Sequence, residues 1–153
     1  MFEDCATDQV RSAAQVPMAR RGLLYLVTAH DVQELRDALA QGRCPPDLEA
    51  KLAGLADGSL SERYVEHNSR LFIALLLAAL QNSFTKATPA DRERLLRVLA
   101  YVRKDDDAIP DYQPGGFFDD QQEVRAAATE LKPVLLDFKV WRLRHQVPVM
   151  WRC

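Results

Sequence analysis

Residues 59–84 read SLSERYVEHNSRLFIALLLAALQNSF, and the fold follows from how this stretch can be buried. Ser59 and Glu62 have the spacing of a capping box, in which the hydroxyl and the carboxylate each accept a backbone N–H at a helix start. A helix from about Ser61 to Phe84 is therefore expected, with Tyr64, Leu71, Leu75 and Leu76 facing inward on the 3.6-residue period. From Leu71 to Leu80 the run LFIALLLAAL is apolar on nearly every side, so this helix needs others around it. At ten residues the run is well short of the roughly 20 that cross a bilayer as a helix. The expectation is an all-α, single-domain bundle of five to six helices with this segment at its centre.

The neighbouring segments supply the covering helices. Thr28 and Asp31 repeat the capping-box spacing ahead of Val32, Leu35 and Leu39, and Gly42 is placed to end that helix. Cys44-Pro45-Pro46 breaks the chain, Leu48, Leu52 and Leu55 mark a short amphipathic helix, and Asp57-Gly58 stops it. Thr88-Pro89-Ala90-Asp91 is a third start, with Thr as N-cap and Pro at the first helical position. It leads a helix with Leu95, Leu99 and Val102 inward and a Glu93–Arg97 pair on its wet side. Val124, Leu131, Leu135, Phe138 and Trp141 form the last stripe, which Pro133 should kink or divide. Leu23 to Val27 is read as helical too, since no second strand could pair with it. The domain then spans residues 23–147, preceded by an arm or short helix at 1–22 and followed by a tail at 148–153.

The chain has 153 residues, 48% of them hydrophobic and 27% charged, which is enough for one well-packed domain and excludes a collagen-like or wholly disordered chain. A net charge of −2 lacks the basic excess of a general nucleic-acid binder, and no nucleic-acid partner is expected. Cys5, Cys44 and Cys153 are odd in number and far apart, giving neither a disulfide framework nor a CxxC half-site. With Glu3 and Asp4 where a signal peptide would carry positive charge, a cytoplasmic location is the expectation. His30, His67 and His145 form no zinc motif, Ser69, Ser83 and Cys44 lie in no nucleophile signature, and no phosphate-binding glycine loop occurs.

One stretch stands apart. Tyr101 to Asp120 reads YVRKDDDAIPDYQPGGFFDD and places six aspartates, Asp105, Asp106, Asp107, Asp111, Asp119 and Asp120, around an Ile109-Pro110 step and a Pro114-Gly115-Gly116 turn. Pro110 disfavours helical geometry at Ile109, and Pro114 followed by two glycines permits a tight reversal, so two helices are folded back on each other. Asp119 with Gln122, or Asp120 with Glu123, has the spacing of an N-cap and its box. The sharper possibility is a hard-cation site: Asp107, Asp111, Asp119 and Asp120 converging across the turn would suit Mg²⁺ or Ca²⁺, although the spacing is not that of an EF-hand. Arg103 and Lys104 stand ready to neutralise part of the cluster without metal, and the reading preferred here is that the acids cap and shape the turn.

Asp107-Ala108-Ile109-Pro110-Asp111, then Pro114, Gly116 and Asp119-Asp120, resembles the signature of the YkvA-like family of small bacterial helical proteins, over roughly residues 95–125. Tyr101 fills the aromatic position of that pattern. The resemblance implies a helical hairpin organised by the motif and brings no catalytic mechanism with it. Many of its members have strongly hydrophobic flanks; here Gln121, Gln122 and Glu123 are polar, so membrane insertion is not carried over.

The C-terminal segment FKVWRLRHQVPVMWRC, residues 138–153, is basic and holds both tryptophans. Phe138, Trp141, Arg142, Arg144 and Trp151 are residue types favoured in interfaces, and the same mixture would suit an anionic membrane surface. The functional expectation is a non-enzymatic interaction module, with a protein partner or its own copy, that uses the turn and the tail and needs no cofactor. The competing expectation is an Mg²⁺- or Mn²⁺-dependent hydrolase built on the aspartates of the turn.

Overall fold

Three of the six helices found among the described residues begin at capping boxes that the sequence marks. In the computed structural model, residues 27–104 and 118–145 are described. The arm at 1–22, the segment 23–26, the tail at 148–153, Asp107, Asp111, Trp151 and the turn residues Ile109, Pro110, Pro114, Gly115 and Gly116 lie outside them. The helices are α1 Ala29–Ala40, α2 Pro46–Leu55, α3 Leu60–Leu80, α4 Pro89–Arg103, α5 Phe118–Glu130 and α6 Lys132–His145. Thr28, Ser59 and Thr88 each accept the N–H of the residue three further on, and Asp31, Glu62 and Asp91 return the bond to the cap. Satisfying two otherwise unpaired donors in this way is worth about 1 kcal/mol per cap.

The ends are set as locally as the starts. Gly42 takes φ +79° just after α1, a left-handed conformation that costs glycine nothing. The central helix stops at Leu80 and not at Phe84: Asn82 turns to φ 62°, and the N–H groups of Ser83 and Phe84 both return to the Ala78 carbonyl. Phe84 is thereby released from the helix and buried elsewhere. Pro133, which cannot donate into a helical ladder, divides the last stripe at Leu131 into α5 and α6.

Helix α3 is the hub, packing against α1, α2, α4 and α5. Leu71 to Leu76 are all buried, as expected for a helix covered on several sides. Around them lie Leu35 and Leu39 of α1, Leu48 and Leu52 of α2, Leu95, Leu96 and Leu99 of α4, and Val124 and Ala127 of α5. Tyr64, half-buried, carries the Arg125 guanidinium 4.7 Å above its ring. The one fully buried polar residue of α3 is Ser69, whose hydroxyl has no hydrogen-bond partner among the described residues. No helix of the described residues is long and apolar enough to cross a membrane.

Helix α6 is joined to the bundle more lightly, through α5 and an aromatic cluster. Phe84 meets Phe138 edge-on at 5.2 Å and Trp141 at 5.6 Å, and Phe138 and Trp141 stack at 5.8 Å. His145 extends the stack over Trp141 at 4.7 Å.

Candidate functional site

Two places account for the polar and the apolar surplus of the sequence: the root of the acidic turn, and the outer face of α6. At the first, α4 ends in Tyr101-Val102-Arg103 with Lys104 as its C-cap, and α5 opens at Phe118, so residues 104 and 118 are the two stems of the reversal. Asp119 and Asp120 are within the first turn of α5, and this corrects the expectation that one of them precedes the helix as its N-cap. Their carboxylates are buried, and Glu123, one turn on, is 1% exposed. The positive end of the helix dipole is the favourable place for such acids.

Specific bonds then tie the stems together. The buried Tyr101 hydroxyl donates to Asp119 Oδ2 at 2.6 Å, and Asp119 Oδ1 accepts the Asp120 backbone N–H at 3.0 Å. Lys51 reaches in from α2 with 11% of its side chain exposed. Its ammonium donates to the Val102 carbonyl and to the Lys104 carbonyl at 3.3 Å, and stands 3.6 Å from Asp120 Oδ2. One cation therefore holds the last carbonyls of α4 and the first turn of α5 at once.

The outer side of the same stem is knitted to α1 and α2. Arg103 binds Asp47 at 2.9 Å and Glu34 at 3.3 Å, and Lys104 binds Asp31 at 3.0 Å. These residues with Ala100 line a shallow cavity of about 260 Å³ in which every charged wall residue has an opposite charge beside it. The Thr28 backbone N–H, with Lys104 behind it, holds the Asp31 carboxyl below the usual carboxylate range against the effect of burial. Partial burial pushes Asp47 the other way, and the Arg103 hydrogen bond and charge outweigh it, so Asp47 also lies below its ordinary value.

Of the four carboxylates considered for a cation, the structure thus places Asp119 and Asp120 side by side at the turn's root, while Asp107 and Asp111 lie outside the described residues. Among the described residues, no group of three His, Cys, Asp or Glu side chains is arranged to hold a metal ion. Glu123, expected as the box partner of an Asp120 cap, is instead buried one turn inside α5, and Lys51 is a residue that no sequence motif marks. Nothing in the local pattern distinguishes Lys51 from a solvated lysine; only the packing of α2 against α4 turns it inward.

The second place is α6. Of the residues expected to form an interface, Phe138 is 1% exposed and belongs to the core, Trp141 packs against it, and Arg142 lies 5.2 Å over the Phe138 ring. Arg144 is exposed. Opposite this buried side lies a second apolar stripe. Leu136 and Val140 are each 48% exposed and Leu143 is 79% exposed. At 3.6 residues per turn these three and Pro133 fall within an arc of about 80°. Lys132 and Lys139 border the stripe on one side, Asp137 and Arg144 on the other, all exposed.

Comparison with family models, with curated proteins and with solved structures finds no match to this chain.

Proposed function

We propose that the chain is a non-enzymatic interaction module that engages a protein through the outer face of α6. The observation that carries this reading is the row Leu136, Val140 and Leu143, large aliphatic side chains held in register on a helix whose other side is already packed. Contiguous exposed apolar surface of this kind marks binding sites, and anchors at i, i+4 and i+7 are how a helix lies against a groove or another helix. The turn's root serves as scaffold: Tyr101, Lys51 and Asp119 fix where α5 starts and hence where α6 is presented.

A protein partner suits this face better than a lipid surface. Trp141 and Phe138, the residues that would anchor a helix in the headgroup region, point into the bundle, and the outer face carries aliphatic side chains with an acid, Asp137, at its border.

A photoreactive amino acid placed at Leu143, and separately at the exposed His67 of α3, tests the proposal in cells expressing the full chain. Protein adducts are expected from position 143, abolished by adding Leu136→Glu, and absent from position 67. Equal adducts at both positions, or none at 143, would refute the reading.

A further inference from the structure

Resting on that reading, we infer that the occupant of the α6 face is a second copy of this chain, docked helix against helix, antiparallel, about a twofold axis at Val140. The spacing is the first argument. Pro133, Leu136, Val140 and Leu143 are separated by three, four and three residues, the alternation that forms the seam of two packed helices. About Val140 the seam is nearly symmetric: Leu136 falls opposite Leu143 of the second copy, and Val140 opposite itself.

Charge decides the direction. In an antiparallel pair each flank of one helix meets the same flank of the other, and in a parallel pair it meets the opposite flank. The Asp137/Arg144 flank is self-complementary when reversed, since Asp137 comes beside Arg144 of the second copy and Arg144 beside its Asp137. A parallel pair would instead set Lys132 against Asp137 of the second copy but Lys139 against Arg144, so each attraction is matched by a repulsion. Lys139 meets its own counterpart across the other flank of the antiparallel pair, where both remain in water. The same alternation of sign distinguishes this occupant from an anionic bilayer, which would attract Lys132, Lys139 and Arg144 but repel Asp137.

The size of the face sets the strength. Residues 136–143 span about 10 Å of helix, and a stripe of this length buries less than the roughly 1,000 Å² of a permanent interface. A weak, reversible dimer is the consequence, half-formed somewhere between about 10 µM and 1 mM on the affinity scale of small interfaces.

Sedimentation equilibrium of the full chain under reducing conditions, from 10 µM to 1 mM, tests this. Wild type is expected to pass from monomer to dimer across that range, and Leu143→Glu to weaken the dimer at least tenfold. Arg144→Asp and Asp137→Arg should each weaken it about three- to tenfold, and the double exchange should restore it. Far-UV spectra and melting curves of these exposed-site variants should match wild type. A chain that stays monomeric to 1 mM, or a dimer indifferent to Leu143→Glu, overturns the inference, and a dimer tightened by Arg144→Asp overturns the antiparallel register. A monomer that still gives adducts at position 143 to a different polypeptide removes self-association and leaves the interaction face standing; a monomer with no adducts removes both.

Discussion

Replacing Lys51 by methionine tests whether the root of the acidic turn is held by one cation. Methionine keeps the apolar stem that packs between α2 and α4 and deletes only the ammonium. That ammonium serves the Val102 and Lys104 carbonyls and the Asp120 carboxylate, at side-chain exposures of 11% for Lys51 and 0% for Asp120. Removing one partner of a buried ion pair costs about 3–5 kcal/mol, because the remaining charge keeps its desolvation penalty. In a domain of this size that lowers the melting temperature by about 10 °C. Urea denaturation followed by far-UV circular dichroism would measure it, with exposed Lys86→Met as a control expected within about 0.5 kcal/mol of wild type. Adding Asp120→Asn to Lys51→Met should cost less than the two single changes summed, a coupling of about 1–3 kcal/mol. A Lys51→Met variant as stable as the Lys86→Met control would refute the reasoning, since the lysine would then be an ordinary surface residue.

Tyr101→Phe removes the hydroxyl that Asp119 accepts at 2.6 Å and should cost about 1.5–3 kcal/mol in the same denaturation assay, the range for a hydrogen bond to a charged group. Ser69→Ala should do the opposite, gaining about 1 kcal/mol by deleting a buried hydroxyl with no partner among the described residues. Acid titration of stability follows from Asp31 and Asp47, whose carboxyls ionise more readily in the folded chain than in the unfolded one. Their contribution is complete above the ordinary carboxylate value of about 3.9 and is lost as the pH falls through the lower folded values, so the profile is flat near neutrality and declines below about pH 4. Asp31→Asn should therefore be less stable than wild type at pH 7, with the gap closing toward pH 2.

Most of the bundle was legible because its signals are local. Each of Thr28, Ser59 and Thr88 sits three residues before an acid, and a motif of four consecutive residues needs no tertiary information to work. Pro133 divides the last stripe for an equally local reason. The end of α3 was misplaced because Phe84 continues the apolar pattern, while Asn82 alone turns the chain out of the helix, and asparagine signals a left-handed end more weakly than glycine. At the turn's root the sequence showed the acids but not their setting. Asp119 and Asp120 have N-cap spacing, and inside the helix they meet the Tyr101 hydroxyl and the Lys51 ammonium, brought from α4 and α2. Such partners are set by packing, so a window of neighbouring residues holds no trace of them.

Helix α6 shows why an exposed apolar stripe can be harder to read than a core. Its apolar residues lie on two opposite sides: Val134, Leu135, Phe138 and Trp141 toward the bundle, and Pro133, Leu136, Val140 and Leu143 away from it. A periodicity search finds a helix by its one-sided pattern, and two opposed stripes cancel, so the aromatic residues draw attention to the side that is already packed. Folding itself separates the two sets. Phe84, freed by the early end of α3, meets Phe138 and Trp141 edge-on and fixes the rotation of α6 about its own axis. Once that rotation is fixed, the second stripe must face outward, with Asp137 and Arg144 along one border. The face proposed for a partner is thus identified by elimination, after the aromatic cluster has claimed the other side of the helix.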